Sequence, residues 1–184
     1  MRISDNRYSR DLRRYSLGLR LIRLEARTRT ITAWTGLSMY RIRTLYRAYG
    51  TDHGNAVVSR PRGRPPHQLN FFWRTARMTN EAAVLAGIAR LLNVVPAKLA
   101  HDAPETLCSL QRGEDVCAAY ELFHAYIPYS EISIDHAFLL VGALTRGDEV
   151  RLGHCDCDGL ILVDCLKPPR QICSFCSSAM KKAS

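Results

Sequence analysis

At 184 residues the chain is long enough to bury an ordinary core, and one domain with a small appendage is the natural division. A hydrophobic fraction of 47% and a charged fraction of 23% belong to a folded protein and exclude disorder as the default. The net charge of +9 is concentrated: residues 1–64 hold 15 arginines and four acids, the rest 11 basic and 13 acidic residues, which favours a nucleic-acid partner over an acidic small substrate.

No apolar run reaches about 18 residues and the first 30 carry no secretory core, so the expectation is a cytoplasmic chain with no membrane partner. Seven cysteines in such a chain argue against a disulfide framework. Five of the seven crowd between Cys155 and Cys176, as metal ligands do.

Taken in order, residues 11–27 read as an amphipathic helix with Leu12, Tyr15, Leu19, Ile22 and Ala26 on its apolar face and arginines elsewhere. It supplies the support that a two-helix unit downstream needs. That unit spans Thr28 to Arg47. A short helix to Thr35 can end at Gly36, which enters the left-handed conformation without a Cβ penalty. Ser38 then caps a second helix from Met39 to about Ala48. Ile42, Leu45 and Tyr49 form its buried stripe, and Ile31 and Leu37 close the corner. Ser38, Tyr40, Arg41, Arg43, Thr44 and Arg47 remain outward, able to reach phosphates and base edges from a helix in a major groove. This is the layout of a DNA-reading helix-turn-helix. The alternative is an ordinary helical hairpin with a solvated arginine face, and the basic surplus of this region favours the first reading.

Gly50 to His67 reads as irregular chain. Arg62-Gly-Arg64-Pro65 resembles an AT-hook, whose arginines enter a narrow A·T-rich minor groove; a linker with arginines on phosphate is the plain alternative. Phe71, Phe72 and Trp73 must be buried somewhere, in the core or in an interface. Thr79 or Asn80 can cap a helix to about Leu92 packed through Ala82, Leu85, Ala89 and Leu92. Two further helices are expected near Val116–Tyr126 and Ser133–Arg146, with Cys108, Cys117, His124 and His136 as filler rather than ligands.

The tail offers Cys173-x-x-Cys176 as one ligand pair and Cys155-x-Cys157 as the other, with His154 or Cys165 as substitutes. A short strand at Leu160–Val163 and a turn at Pro168-Pro169 connect them. A redox Cys-x-x-Cys lacks its βαβ context, a zinc deaminase lacks its His-x-Glu, and free cysteines by coincidence are the remaining alternative. With Cys155, Cys157, Cys173 and Cys176 all bound, one structural Zn²⁺ per chain has no position left for water.

The ordered set of Leu19–Arg27, Thr35-Gly-Leu-Ser38, Ile42–Arg47, Pro61–Pro66 with Phe72-Trp73, and Cys173-Ser-Phe-Cys176 resembles the FlhC family of bacterial flagellar transcriptional activators. The resemblance implies a mainly α subunit with a four-cysteine zinc site. It also implies binding of double-stranded DNA in a hetero-oligomer with a FlhD-like protein, activation of flagellar-type promoters through RNA polymerase, and no catalytic activity or small-molecule substrate. The first cysteine pair departs from the family's Cys-x-x-Cys-Gly-Gly, as a divergent copy would. The expected organisation is a basic helical region with the arginine-rich loop (1–64), a helical core (65–148) and a zinc-binding lobe (149–184). The competing functions are a stand-alone helix-turn-helix regulator and, from another class, a DNA-processing enzyme such as a recombinase, for which the acids form no obvious set.

Overall fold

The computed structural model describes residues 2–49, 58–96, 109–167 and 172–177. The expected Gly50–Asn55 irregular stretch, Cys108 and the Pro168-Pro169 turn lie outside the described residues. The described chain is mainly helical: α1 (Arg2–Arg23), α2 (Thr28–Thr35), α3 (Met39–Tyr49), a 3-10 turn (Leu69–Trp73), α4 (Ala76–Leu91), α5 (Leu110–Tyr126) and α6 (Ile134–Arg146), then strands β1 (Val150–His154) and β2 (Leu160–Asp164). Among the described residues no helix is long and apolar enough to cross a membrane.

One apolar core runs from Leu17 to Leu162, with α4, α5 and α6 at its centre and Leu85, Phe123 and Leu140 fully buried. Phe72 is fully buried, while Phe71 and Trp73 pack against the core edge, so the aromatic triplet is core. The cap of α4 is Thr75, whose hydroxyl accepts from Met78 N–H at 3.1 Å; Thr79 lies inside the helix and donates to Phe72 O. Ala82, Leu85 and Ala89 are buried as expected, but Leu92, the C-cap residue, is exposed. β1 and β2 pair antiparallel from Val150↔Asp164 to His154↔Leu160, and β2 rests on α4.

In α1 and the turn after it, Ile22 and Ala26 of the expected apolar face are buried, but the rest of the face is shifted. Leu17, Leu21 and Ile22 are buried, Leu12 is exposed and Leu19 only half-buried. The helix rotates to set Gly18 against the corner below it, where a Cβ would meet Leu37 at 3.1 Å. α1 also stops at Arg23, turned by Glu25 at a φ of 58°.

Asp135, in the first turn of α6, ties this core to α2. Its buried carboxylate accepts from the backbone N–H of Arg27 at 3.3 Å, from the Arg27 guanidinium at 3.1 Å and from the Thr30 hydroxyl. The neighbouring His136 closes a capping box with Ser133 and stacks on Phe71, with ring centroids 3.7 Å apart. Burial, with the nearby Arg27, lowers its pKa from 6.5 to about 4. A base with a depressed folded pKa contributes full stability above its unfolded value and loses it as pH falls from 6.5 toward about 4. After discounting for solvent at this half-buried ring, the expected loss is ~2 kcal/mol. Urea unfolding at pH 7 and pH 4.5 checks this: His136→Gln, which keeps an acceptor for Ser133 N–H, should show a shallower acid loss than the parent, and equal slopes would refute it.

Candidate metal centre and nucleic-acid interface

The hairpin of β1 and β2 builds the thiol cluster. Its turn is closed by Cys155 N–H donating to Gly159 O and Asp158 N–H donating to Cys155 O, both at 2.9 Å, with Asp158 at a φ of 60°. This places Cys155 and Cys157 at the hairpin tip. Across from them, residues 174–177 form a helical turn whose entrance is Cys173, and Cys176 N–H donates to Cys173 Sγ at 3.3 Å. Cys173 N–H donates in turn to Cys155 Sγ at 3.3 Å, joining the two pairs. Asn80 on α4 holds the second pair in place through Ser174 Oγ at 2.9 Å.

All four sulfurs lie within 4.8 Å of one another, and Cys157 and Cys173 Sγ are 3.7 Å apart. A tetrahedral ion with metal–sulfur bonds of about 2.3 Å needs sulfur separations of about 3.8 Å, so the quartet could hold a metal ion with little adjustment. The N–H groups of Cys173 and Cys157 draw the Cys155 thiol down to about 6, whereas the thiols of Cys157, Cys173 and Cys155 push Cys176 up to about 12. Crowded sulfurs resist collective ionisation, and a cation removes that resistance. Neither substitute ligand joins the quartet. His154 is exposed on the strand, and Cys165, whose N–H bonds Glu149 O, sits at the opposite end of the ladder. Cys117, on the inner face of α5, is buried, its thiol pushed up to about 12 by burial, and is part of the core.

The second cluster is the face of α2 and α3. Gly36 ends α2 at a φ of 67° with its N–H on Thr32 O, and Ser38 Oγ accepts from Arg41 N–H at 3.4 Å. Ile31, Leu37 and Ile42 are buried as the spacing requires. Tyr49 is not: Tyr46, four residues after Ile42, takes the inner position and donates its hydroxyl to Ala26 O at 2.9 Å, with Leu45 half-buried. Inward burial pushes the Tyr46 phenol up to about 12. On the other side Ser38, Tyr40, Arg41, Arg43, Thr44 and Arg47 are all exposed. Arg41 leans toward the Tyr15 ring at 5.9 Å, and Thr44 donates to Tyr40 O.

Arg62 and Arg64 are exposed on a loop laid against α2 and α3. Ser59 N–H donates to Glu25 at 3.2 Å, Arg60 donates to Thr28 Oγ1 at 3.2 Å and covers the Tyr46 ring at 5.0 Å, and Arg27 donates to Arg62 O at 3.5 Å. No known protein-family model matches the chain, and no curated protein matches it. Three residues of this face and its support escape sequence reasoning. Arg29 and Arg60 are distinguished by nothing beyond their charge, and Asp135 reads as an ordinary acid in a first helical turn.

Proposed function

We propose that the protein is a DNA-binding subunit of a transcriptional activator, with α2 and α3 as a helix-turn-helix and α3 as the reading helix. The observation that carries this reading is the split of α3: Ile42 and Tyr46 are buried on one side, and Tyr40, Arg43, Thr44 and Arg47 are exposed on the other. A helix so divided can lie in a major groove without disturbing its own support. The concentration of arginine in residues 1–64 adds the electrostatic attraction. The quartet of Cys155, Cys157, Cys173 and Cys176 is read as a structural Zn²⁺ site, since four thiolates fill the tetrahedron. In line with the FlhC resemblance, the partner is a FlhD-like protein, and the complex acts on flagellar-type promoters with RNA polymerase in the cytoplasm.

Co-purification with a FlhD-like protein, followed by gel shift on flagellar promoter DNA with and without it, tests the assignment. Specific binding that needs both chains supports an activator subunit; binding by this chain alone replaces it with a stand-alone regulator. Arg43→Ala or Arg47→Ala should each weaken specific binding by about 1 to 3 kcal/mol where the side chain reads a base. Unchanged affinity in both would remove α3 as the reading helix.

A further inference from the structure

Between the first turn of α2, the first turns of α3 and the loop Ser59–Gly63 lies an open groove of about 510 Å³. Arg29, Arg43, Arg60 and Arg62 converge on it from three separate chain segments, with Met39 and Gly63 completing its walls. No carboxylate lines it, and among the described residues none of the four arginines makes an ion pair. Four like charges lining one groove repel one another, and a bound anion relieves that repulsion.

We propose that this groove is a clamp for a backbone phosphate of the DNA duplex, with Arg29, Arg60 and Arg62 as positioning residues for the reading helix. The inference rests on the DNA-binding reading and deepens it. Guanidinium forks suit phosphate oxygens, which can accept from several of them at once. The choice of a duplex phosphate over a free one follows from Arg43, which belongs both to the groove and to the outward face of α3. A strand running past α3 therefore meets the groove without leaving the reading surface. The loop is already fastened, by Ser59 on Glu25 and Arg60 on Thr28, so no ordering of the loop opposes binding. In this geometry Arg62 fixes the register on the sugar-phosphate backbone and reads no base, a role different from minor-groove insertion.

The test is fluorescence anisotropy of the full chain, alone and with its co-purified partner, on a duplex of unrelated sequence between 50 and 200 mM salt. Arg29→Ala and Arg62→Ala, whose side chains support no other described residue through a hydrogen bond, should each lower affinity about three- to tenfold on every sequence and reduce the salt slope by about 0.9. Arg90→Ala on α4 should leave both unchanged. Inorganic pyrophosphate should compete with the duplex for the parent protein and lose that ability in the Arg29→Ala/Arg62→Ala double variant. Duplex binding with an unaltered slope in both groove variants, but a reduced one in Arg47→Ala, overturns the clamp and leaves the DNA reading standing. Absence of duplex binding under all conditions overturns the DNA reading; pyrophosphate binding that still depends on Arg29 and Arg62 then assigns the groove to a free phosphate compound, and its absence removes the groove as an anion site.

Discussion

Chelation of the proposed Zn²⁺ from the four-thiol site is expected to undock residues 172–177 and loosen the hairpin tip, and Cys173→Ser should have the same effect without chelator. The reason is the poverty of apolar anchoring in this part of the chain. Among the described residues after β1 begins, the buried apolar side chains are Val150, Cys155, Ile161 and Leu162. A two-stranded hairpin is marginal by itself, and this one gains support from α4 through β2. The segment carrying Cys173 and Cys176 is short and half-exposed, and Asn80 on Ser174 ties it to α4 outside the sulfurs. Structural zinc contributes about 10–16 kcal/mol of apparent binding energy to small domains that fold around it. Because the strands here keep their contact with α4, the expected loss is smaller, of order 5 kcal/mol, and local to this lobe. Elemental analysis should find about one zinc per chain. Trp73, which borders the pocket shared with Ile172 and Cys173, reports the undocking by a fluorescence change on chelation, with Trp34→Phe used to isolate its signal. Equal hydrogen exchange at residues 155–177 with and without chelator would refute a structural metal.

What the sequence makes legible and what it hides divide along the range of the interactions. Gly36 and Ser38 act on their own neighbours, so the end of α2 and the start of α3 can be placed from the chain alone. The same holds for Ser133 at the start of α6 and for the Leu160–Val163 strand. The spacing of the cysteines points to the quartet because ligands on tight turns need short separations, but it leaves His154 and Cys165 as substitutes, and the fold of the hairpin decides between them. Where several residues could play one role, local reasoning chooses wrongly: Thr75 caps α4 although Thr79 and Asn80 have the same chemistry. Phase errors in α1 and α3 have a similar origin. Leu12 and Tyr49 fit a helical stripe as well as Leu17 and Tyr46 do, and which is buried depends on Gly18 meeting Leu37 and on the Ala26 carbonyl. Neither partner is visible in the periodicity. The arginine groove is less legible still, since Arg29, Arg43 and Arg60–Arg62 come together through the return path of a loop.

Asp135→Ala is expected to destabilise the protein by about 3 kcal/mol, the second largest effect, and to weaken DNA binding beyond what the lost stability explains. Removing the carboxylate leaves Arg27 N–H and the Thr30 hydroxyl without their shared acceptor in a buried setting. The Arg27 side chain, 25% exposed, can turn toward water, which keeps the loss at the lower end for a broken buried pair. Asp135→Asn retains an acceptor for Thr30 or for the Arg27 N–H and should cost less than the alanine variant. A double-mutant cycle with Arg27→Ala, read by urea unfolding at pH 7, separates the charge pair from the hydrogen bonds to the start of α2. Coupling of about 1 kcal/mol or more is expected, because the two groups touch across 108 residues of chain. A loss below about 0.5 kcal/mol in Asp135→Ala would mean that the α2 terminus needs no anchor. The consequence for function is geometric. Arg27 and Thr28 hold the loop that carries Arg60 and Arg62, while Thr30 fixes the first turn of α2. One buried carboxylate on α6 thereby sets the position of the helix pair and of its basic loop together, and its removal should blur both of the proposed duplex contacts at once.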